Sequence, residues 1–239
     1  MFYKFLNALR DFFLPDICCI CGDTTGSFLD KKKILFNNSG KTYQSPYCKN
    51  CTRALEKALL TSRASSKNLK IETAFLFDYS HEITKVALHH IKHHECEKCR
   101  RFYADIVSPF FLKFGGKDTV ISHIPRNRHN FQKFGFDQSR EILDFYISSN
   151  PSQKHTALFE RRNMKNDNVQ QKSLGYNSRA ENARLSLKLK ENINVPENVL
   201  LFDDIVTTGA SLSAASELLY KNGAKHIKAV TLAATTLNQ

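Results

Sequence analysis

No apolar run in this chain reaches the about 18 residues that a membrane-spanning helix needs. A secretory leader is equally unsupported, because Lys4, Arg10 and Asp11 interrupt the apolar residues between Met1 and Leu14. The chain is also short of acid: 23 Asp and Glu stand against 35 Lys and Arg, a formal net charge of +12 at pH 7. That imbalance favours a polyanionic partner, and nucleic acid, a pyrophosphate-bearing substrate or an acidic membrane face would each satisfy it. The expected location is cytoplasmic, with peripheral contact at the membrane as the alternative. In a reducing compartment the seven cysteines point to metal or free thiols and away from disulfides. What is present suffices for a fold: 239 residues at 41% hydrophobic content allow one ordinary domain with a packed core plus a small module.

The chain is organised around Asn198 to Leu212. Val199 to Phe202 has the length and composition of a buried parallel strand, and it ends in Asp203 and Asp204. A loop of small residues follows, Ile205-Val206-Thr207-Thr208-Gly209-Ala210-Ser211, and Leu212 to Tyr220 reads as a helix stopped by Asn222-Gly223. Backbone N–H groups of such a loop, with the start of a helix dipole behind them, can cradle a phosphate. Two carboxylates beside it can accept hydrogen bonds from sugar hydroxyls or hold Mg²⁺ through water. The segment resembles the phosphoribosyl-pyrophosphate (PRPP) signature of type I phosphoribosyltransferases. An ordinary strand-loop-helix crossover whose acids face water is the plainer alternative.

Ahead of it, Phe2, Phe5, Leu6, Leu9, Phe12 and Phe13 fall at helical spacing until Pro15, an amphipathic helix expected to pack on the body of the protein. Two Cys-x-x-Cys knuckles follow, Cys18/Cys21 and Cys48/Cys51, whose four thiolates can close a tetrahedron around Zn²⁺. Between them, Lys31 to Gly40 reads as a hairpin or insertion. Cys19 is out of phase with the ligands and reads as a bystander. Arg53 to Leu60 is an expected helix and Thr61 to Lys70 a linker, which divides the chain into a 1–70 zinc module and a 71–239 domain.

Thr73 to Tyr79, Asp118 to Pro125 and Lys225 to Ala233 read as further strands, and Ile83 to Ile91 as a helix with Ile83, Val86, Ala87 and His90 or Ile91 inward. The following His89 to Arg101 segment is ambiguous. His89/His93, His90/His94 and Cys96/Cys99 have metal-ligand spacing, but a basic, polar helix end at the rim of an anion site is the preferred reading. Pro125 with Arg126, Arg128 and Lys133 suits a pyrophosphate-binding turn. Phe131, Phe134 and Phe136 interleave with these cations and can stack bases, although core filling suits each singly. The 158–182 stretch reads as a mobile loop whose basic side chains, Arg179 among them, can close over an anion.

Together these landmarks resemble the ComF/ComFC competence family, a zinc finger ahead of a type I phosphoribosyltransferase domain. The matching residues are the four knuckle cysteines, His123-Ile124-Pro125, Phe134 to Gln138, Arg162, Gln171, Arg179, Asn182 and Asp203 through Ser211. Three positions depart from the family pattern. His123-Ile124-Pro125 stands for Pro-Val-Pro, the Arg before Gly135 is replaced with Lys133 one place earlier, and Asp137 takes the place of Asn.

The resemblance implies an α/β fold, a parallel sheet flanked by helices, carrying structural Zn²⁺ and using Mg²⁺ with PRPP. It implies single-stranded DNA and competence-machinery proteins at the inner membrane face as partners, in natural transformation. Asp203 and Asp204 would hold the ribose diol, the Thr207 to Ser211 amides the 5-phosphate, and Mg²⁺ with Arg126 or Arg128 the pyrophosphate. A nucleotide-salvage phosphoribosyltransferase and a non-catalytic zinc-ribbon adaptor are the alternatives. No catalytic residue and no acceptor base is assigned.

Overall fold

The computed structural model of the chain describes residues 17–23, 25, 33–35, 42–59, 71–116, 118–162 and 186–235. The expected helix at Phe2 to Phe13, the linker at 61–70, and Gln171, Arg179 and Asn182 lie outside them. In chain order the strands are β1 (Lys33–Leu35), β2 (Thr42–Gln44), β3 (Glu72–Asp78), β4 (Val120–His123), β5 (Phe159–Arg161), β6 (Leu187–Leu189), β7 (Asn198–Val206) and β8 (His226–Ala234). The helices are α1 (Lys49–Lys57), α2 (Glu82–His93), α3 (Glu97–Phe114), α4 (Arg128–Phe134), α5 (Gln138–Ser149) and α6 (Ala210–Lys221). One sheet, in the order β3-β8-β7-β4, is parallel at every pairing. β1 and β2 form the hairpin expected between the knuckles, and β5 pairs antiparallel with β6.

The expected α/β architecture follows from the side-chain alternation of the central strands. Leu200 and Phe202 of β7, Val230 and Leu232 of β8, and Ala74 and Leu76 of β3 join one hydrophobic cluster with α2, α3 and α5. Their alternates Val199, Leu201, Ala229 and Phe75 join a second cluster with Leu212, Ala215 and Leu219 of α6. Successive side chains point to opposite faces, so a strand covered on both sides must be apolar throughout, which is why β7 reads as an unbroken run. Removing a fully buried phenyl such as Phe202 would cost about 3–5 kcal/mol.

Several elements differ from the sequence expectation. β7 continues past Phe202, because Asp203 and Ile205 keep pairing with Thr231 and Ala233 of β8. α2 buries Thr84, Ala87, Leu88 and Ile91 and leaves Val86 exposed, a rotated face that sets His90 at the edge of the core. α3 was not expected as a continuous helix. Its 18 residues include Pro109, whose missing N–H and ring usually break a helix. Its buried Phe102, Tyr103, Ile106, Val107 and Phe111 hold it in place, with Phe111 edge-on to Phe202 at 5.2 Å between ring centroids.

The described part of the N-terminal segment does not stand apart. Cys18, Tyr47, Cys48, Cys51, Leu55 and Ala58 share the first cluster with sheet residues Leu76 and Phe77. The Tyr47 and Tyr103 hydroxyls meet at 2.9 Å inside it. Among the described residues, no helix is long and apolar enough to cross a membrane.

Candidate anion and metal sites

Asp203 and Asp204 sit near the carboxyl end of β7, where the sheet opens onto the loop to α6. Asp204 is buried at 5% exposure and has two partners from distant elements. The Lys92 ammonium, from the last turn of α2, lies 3.2 Å from Asp204 Oδ2. The Gln138 side-chain amide, at the start of α5, donates to the same oxygen. Its carbonyl, Oε1, is buried without a hydrogen-bond partner. Asp204 also receives the Ile205 N–H at 2.6 Å, and Asp203 receives the Asp204 N–H at 2.9 Å.

Burial, and then the charge of Asp204, push the Asp203 carboxyl up to about 8. Burial alone would lower the Lys92 value, yet the carboxylates of Asp204 and Asp203 outweigh it and hold the ammonium above the ordinary lysine value.

The loop after β7 turns on Gly209, whose φ of 74° lies in the left-handed region that a side chain would strain. Thr208 Oγ1 accepts from the Ala210 N–H at 3.4 Å. The first turn of α6 points its N–H groups out of the helix, because they have no intrahelical acceptor. Ile205 and Val206 close the strand, Thr207 is exposed, and Thr208, Ala210 and Ser211 are half-buried. The acid pair and the amide loop therefore occupy one end of one strand, as the sequence predicts.

The basic turn is more structural than expected. The Arg126 guanidinium donates to the carbonyls of Phe136 at 3.2 Å and Lys92 at 2.6 Å, and lies over the Phe134 and Phe136 rings. Asp137, in the Asn position, accepts the Arg126 N–H at 2.6 Å and caps α5 through the Ser139 and Arg140 N–H groups. His123, 5% exposed, is pushed down to about 4 by burial and by His155, so it is neutral near pH 7.

Arg128 and Lys133 are exposed on α4, a helix that buries none of its residues. Phe131 is 48% exposed, whereas Phe136 is buried beneath Arg100 and Arg126 and serves as core.

At the N-terminus, ligand atoms of Cys18, Cys21, Cys48 and Cys51 all lie within 4.8 Å of one another, with the Cys21 and Cys48 sulfurs 3.5 Å apart. A tetrahedral zinc–thiolate site with bonds of about 2.3 Å has edges of about 3.8 Å, so the donor set fits Zn²⁺. Cys48 is the N-cap of α1 and Cys51 lies in its first turn. Burial would raise the Cys18 thiol, but backbone N–H groups of Cys48, Cys21 and Ile20 outweigh it and hold it below its ordinary value. Burial, then the Cys21 and Cys48 side chains, push the Cys51 thiol well up. Four crowded thiols cannot all ionise without a cation among them, and a bound metal reverses that.

A second group gathers in the segment where metal-ligand spacing was the lesser reading. Ligand atoms of Cys19, His90, Cys96 and Cys99 also gather within 4.8 Å. Cys19, expected as a bystander, is the member of it that the sequence did not mark.

No family model matches the chain. Competence protein ComFC of Streptococcus pneumoniae (strain ATCC BAA-255 / R6) is 23% identical over 219 residues, covering 91% of this chain and 88% of that protein. The chain is similar to ComFC along most of its length.

Among solved structures, the allosteric regulatory enzyme of purine biosynthesis aligns with a TM-score of 0.40 at 10% identity, over 60% of this chain and 30% of that one. A hypoxanthine phosphoribosyltransferase from Staphylococcus aureus aligns at 0.35 and 14% identity, over 58% and 64%. A hypoxanthine-guanine phosphoribosyltransferase from Bacillus anthracis aligns at 0.38 and 14% identity, over 60% and 76%. The chain thus spans less than two thirds of the first two structures.

Two residues of the acidic site were missed in the sequence. Lys92 lies inside the ambiguous histidine-rich segment, where nothing local marks it as the partner of Asp204. Arg161, where the family resemblance favoured Arg162, is half-buried and donates to the Pro125 carbonyl at 3.0 Å and Ser186 Oγ at 2.9 Å, within electrostatic reach of Asp203. Its neighbour Arg162 faces solvent. The signal was available: residues of a strand alternate faces, so a one-residue shift decides which arginine turns inward.

Proposed function

We propose that this chain is a phosphoribosyltransferase-like competence protein that binds PRPP at the carboxyl end of β7 and handles single-stranded DNA. The observation that carries the reading is the convergence of Lys92, Gln138 and Arg161 on Asp203 and Asp204, one strand-end away from the amide loop at Thr207 to Ser211. The likeness to ComFC over 91% of the chain supports the competence role.

In this reading the amides of Thr207 to Ser211 take the 5-phosphate, and Asp203 and Asp204 accept hydrogen bonds from the ribose hydroxyls. The carboxylate oxygens are hard donors of the kind Mg²⁺ takes, and that ion would supply charge neutralisation for the pyrophosphate. Pro125, Arg128 and Lys133 line the pyrophosphate side, with Arg161 bracing the turn. Arg126 acts chiefly by positioning, through the Lys92 and Phe136 carbonyls. Arg179, which lies outside the described residues, keeps its expected role of closing over the anion. Cys18, Cys21, Cys48 and Cys51 hold structural Zn²⁺.

The net charge of +12 and the exposed α4, with Arg128, Phe131 and Lys133, suit a strand whose bases stack and whose phosphates are neutralised.

Calorimetric titration with PRPP and Mg²⁺, with and without a single-stranded oligonucleotide, tests both halves. Saturable PRPP binding that Asp204→Ala weakens by about 100-fold or more is expected, together with oligonucleotide binding that weakens steeply with salt and with Phe131→Ala. No heat with PRPP would overturn the sugar-phosphate reading. Equal affinity for single and double strands across a salt titration would overturn the single-strand reading. Consumption of PRPP together with a free purine or pyrimidine would select nucleotide salvage instead.

A further inference from the structure

We infer that Cys19, His90, Cys96 and Cys99 form a second zinc site, a three-sulfur, one-nitrogen tetrahedron separate from the Cys18/Cys21/Cys48/Cys51 centre. Three independent observations support it.

The first is spacing. The Cys19 sulfur lies 3.7 Å from that of Cys96 and 3.6 Å from that of Cys99, close to the about 3.8 Å edge of a zinc–thiolate tetrahedron. The Cys96 and Cys99 sulfurs touch at bonding distance. A covalent link would account for that pair, but not for a third sulfur and an imidazole converging on it.

The second is the framework. Cys96 is the N-cap of α3, with its sulfur accepting the Cys99 N–H at 3.3 Å, and Cys99 lies in the first turn. Cys48 and Cys51 hold the same two positions on α1. Both Cys-x-x-Cys pairs thus present their sulfurs at the positive end of a helix, where thiolates are favoured.

The third is His90. Its Nδ1 is shut away from solvent with no hydrogen-bond partner, a cost that a metal bond or a polar neighbour would remove.

Tetrahedral sulfur and imidazole donors are the set that Zn²⁺ prefers. Binding would release the protons of the three thiols. The Cys18-to-Cys21 turn would then serve two centres, Cys18 and Cys21 on one side and Cys19 on the other, and would tie the N-terminal segment to the α2–α3 junction.

The test is the metal content of the full chain, purified under reducing conditions without chelator. The expected result is two zinc equivalents per chain, falling to one in His90→Ala and in Cys19→Ser. If either variant fails to fold, cobalt substitution of the wild type decides, by a ligand-field spectrum that contains a three-sulfur, one-nitrogen component beside a four-sulfur one. One zinc equivalent in the wild type would overturn the proposal. So would two equivalents that neither variant lowers, a cobalt spectrum with the four-sulfur component alone, or an intact mass short by two hydrogens that marks a Cys96–Cys99 disulfide.

Discussion

The molecule carries two crowded anionic clusters and balances them in opposite ways. The aspartates at the end of β7 have their own partners, the Lys92 ammonium at 3.2 Å and the hydrogen-bonding Gln138 amide, drawn from α2 and α5. The thiols of Cys18, Cys21, Cys48 and Cys51 have one another and a few backbone N–H groups. An anion paired internally holds its shape without a ligand. One that is not must import a cation or stay protonated. The acidic pocket is therefore expected to persist in the unliganded protein, whereas the cysteine cluster depends on metal.

The largest effect separates the two directly. Stripping metal from the cysteine cluster with a strong chelator should cost about 5 kcal/mol or more, because Cys18, Cys48 and Cys51 share a core with the sheet. A melting curve unchanged by the chelator would erase the contrast.

Next, Asp204→Ala should leave the half-buried Lys92 without its nearest carboxylate, at a cost of roughly 1–3 kcal/mol in denaturant unfolding. It should also lower PRPP affinity by about 100-fold or more. Unaltered stability would mean that Lys92 escapes to water and that the pocket is not internally balanced.

Asp203→Asn should act in the opposite direction. The folded-state pKa of Asp203 is raised above its unfolded value, so its favourable contribution is complete below about pH 4 and is lost as pH rises through about 8. Replacing the carboxyl should therefore raise Tm at pH 9 by on the order of 3 °C for about 1 kcal/mol, with less effect at pH 5, while weakening ribose binding. A gain larger at pH 5 than at pH 9 would contradict the raised pKa.

The smallest effect is a control. Lys225 and Glu197 pair at 2.7 Å with both side chains 63% exposed, and Lys225→Ala should leave the melting curve essentially unchanged, because solvent screens an exposed pair.

Much of the acidic site was legible because it is local. One strand, two acids, a glycine turn and a helix lie within 24 consecutive residues, from Asn198 to Lys221, and hydrophobic periodicity reports such units well. The knuckles were legible for the same reason. Contacts between residues far apart in the chain were not. Lys92 reaches Asp204 and Cys19 meets Cys99 across 80 positions, and no sequence window joins them. α3 was hidden by Pro109 and by cysteines at its start, features that locally argue against a helix and are overridden by its buried aromatic face. The phase of α2 was misread because Val86 is as apolar as Leu88, and only the packing chooses between them.

Arg126 has one more consequence. Its guanidinium is already committed to the Lys92 and Phe136 carbonyls, so on the proposed reading the cations left to meet an arriving pyrophosphate, Arg128 and Lys133, stand at the water's edge. Capture would then be sensitive to ionic strength, since exposed charges are screened within about 10 Å in ordinary buffers. Retention would rest on the amide turn, whose dipoles background salt scarcely touches.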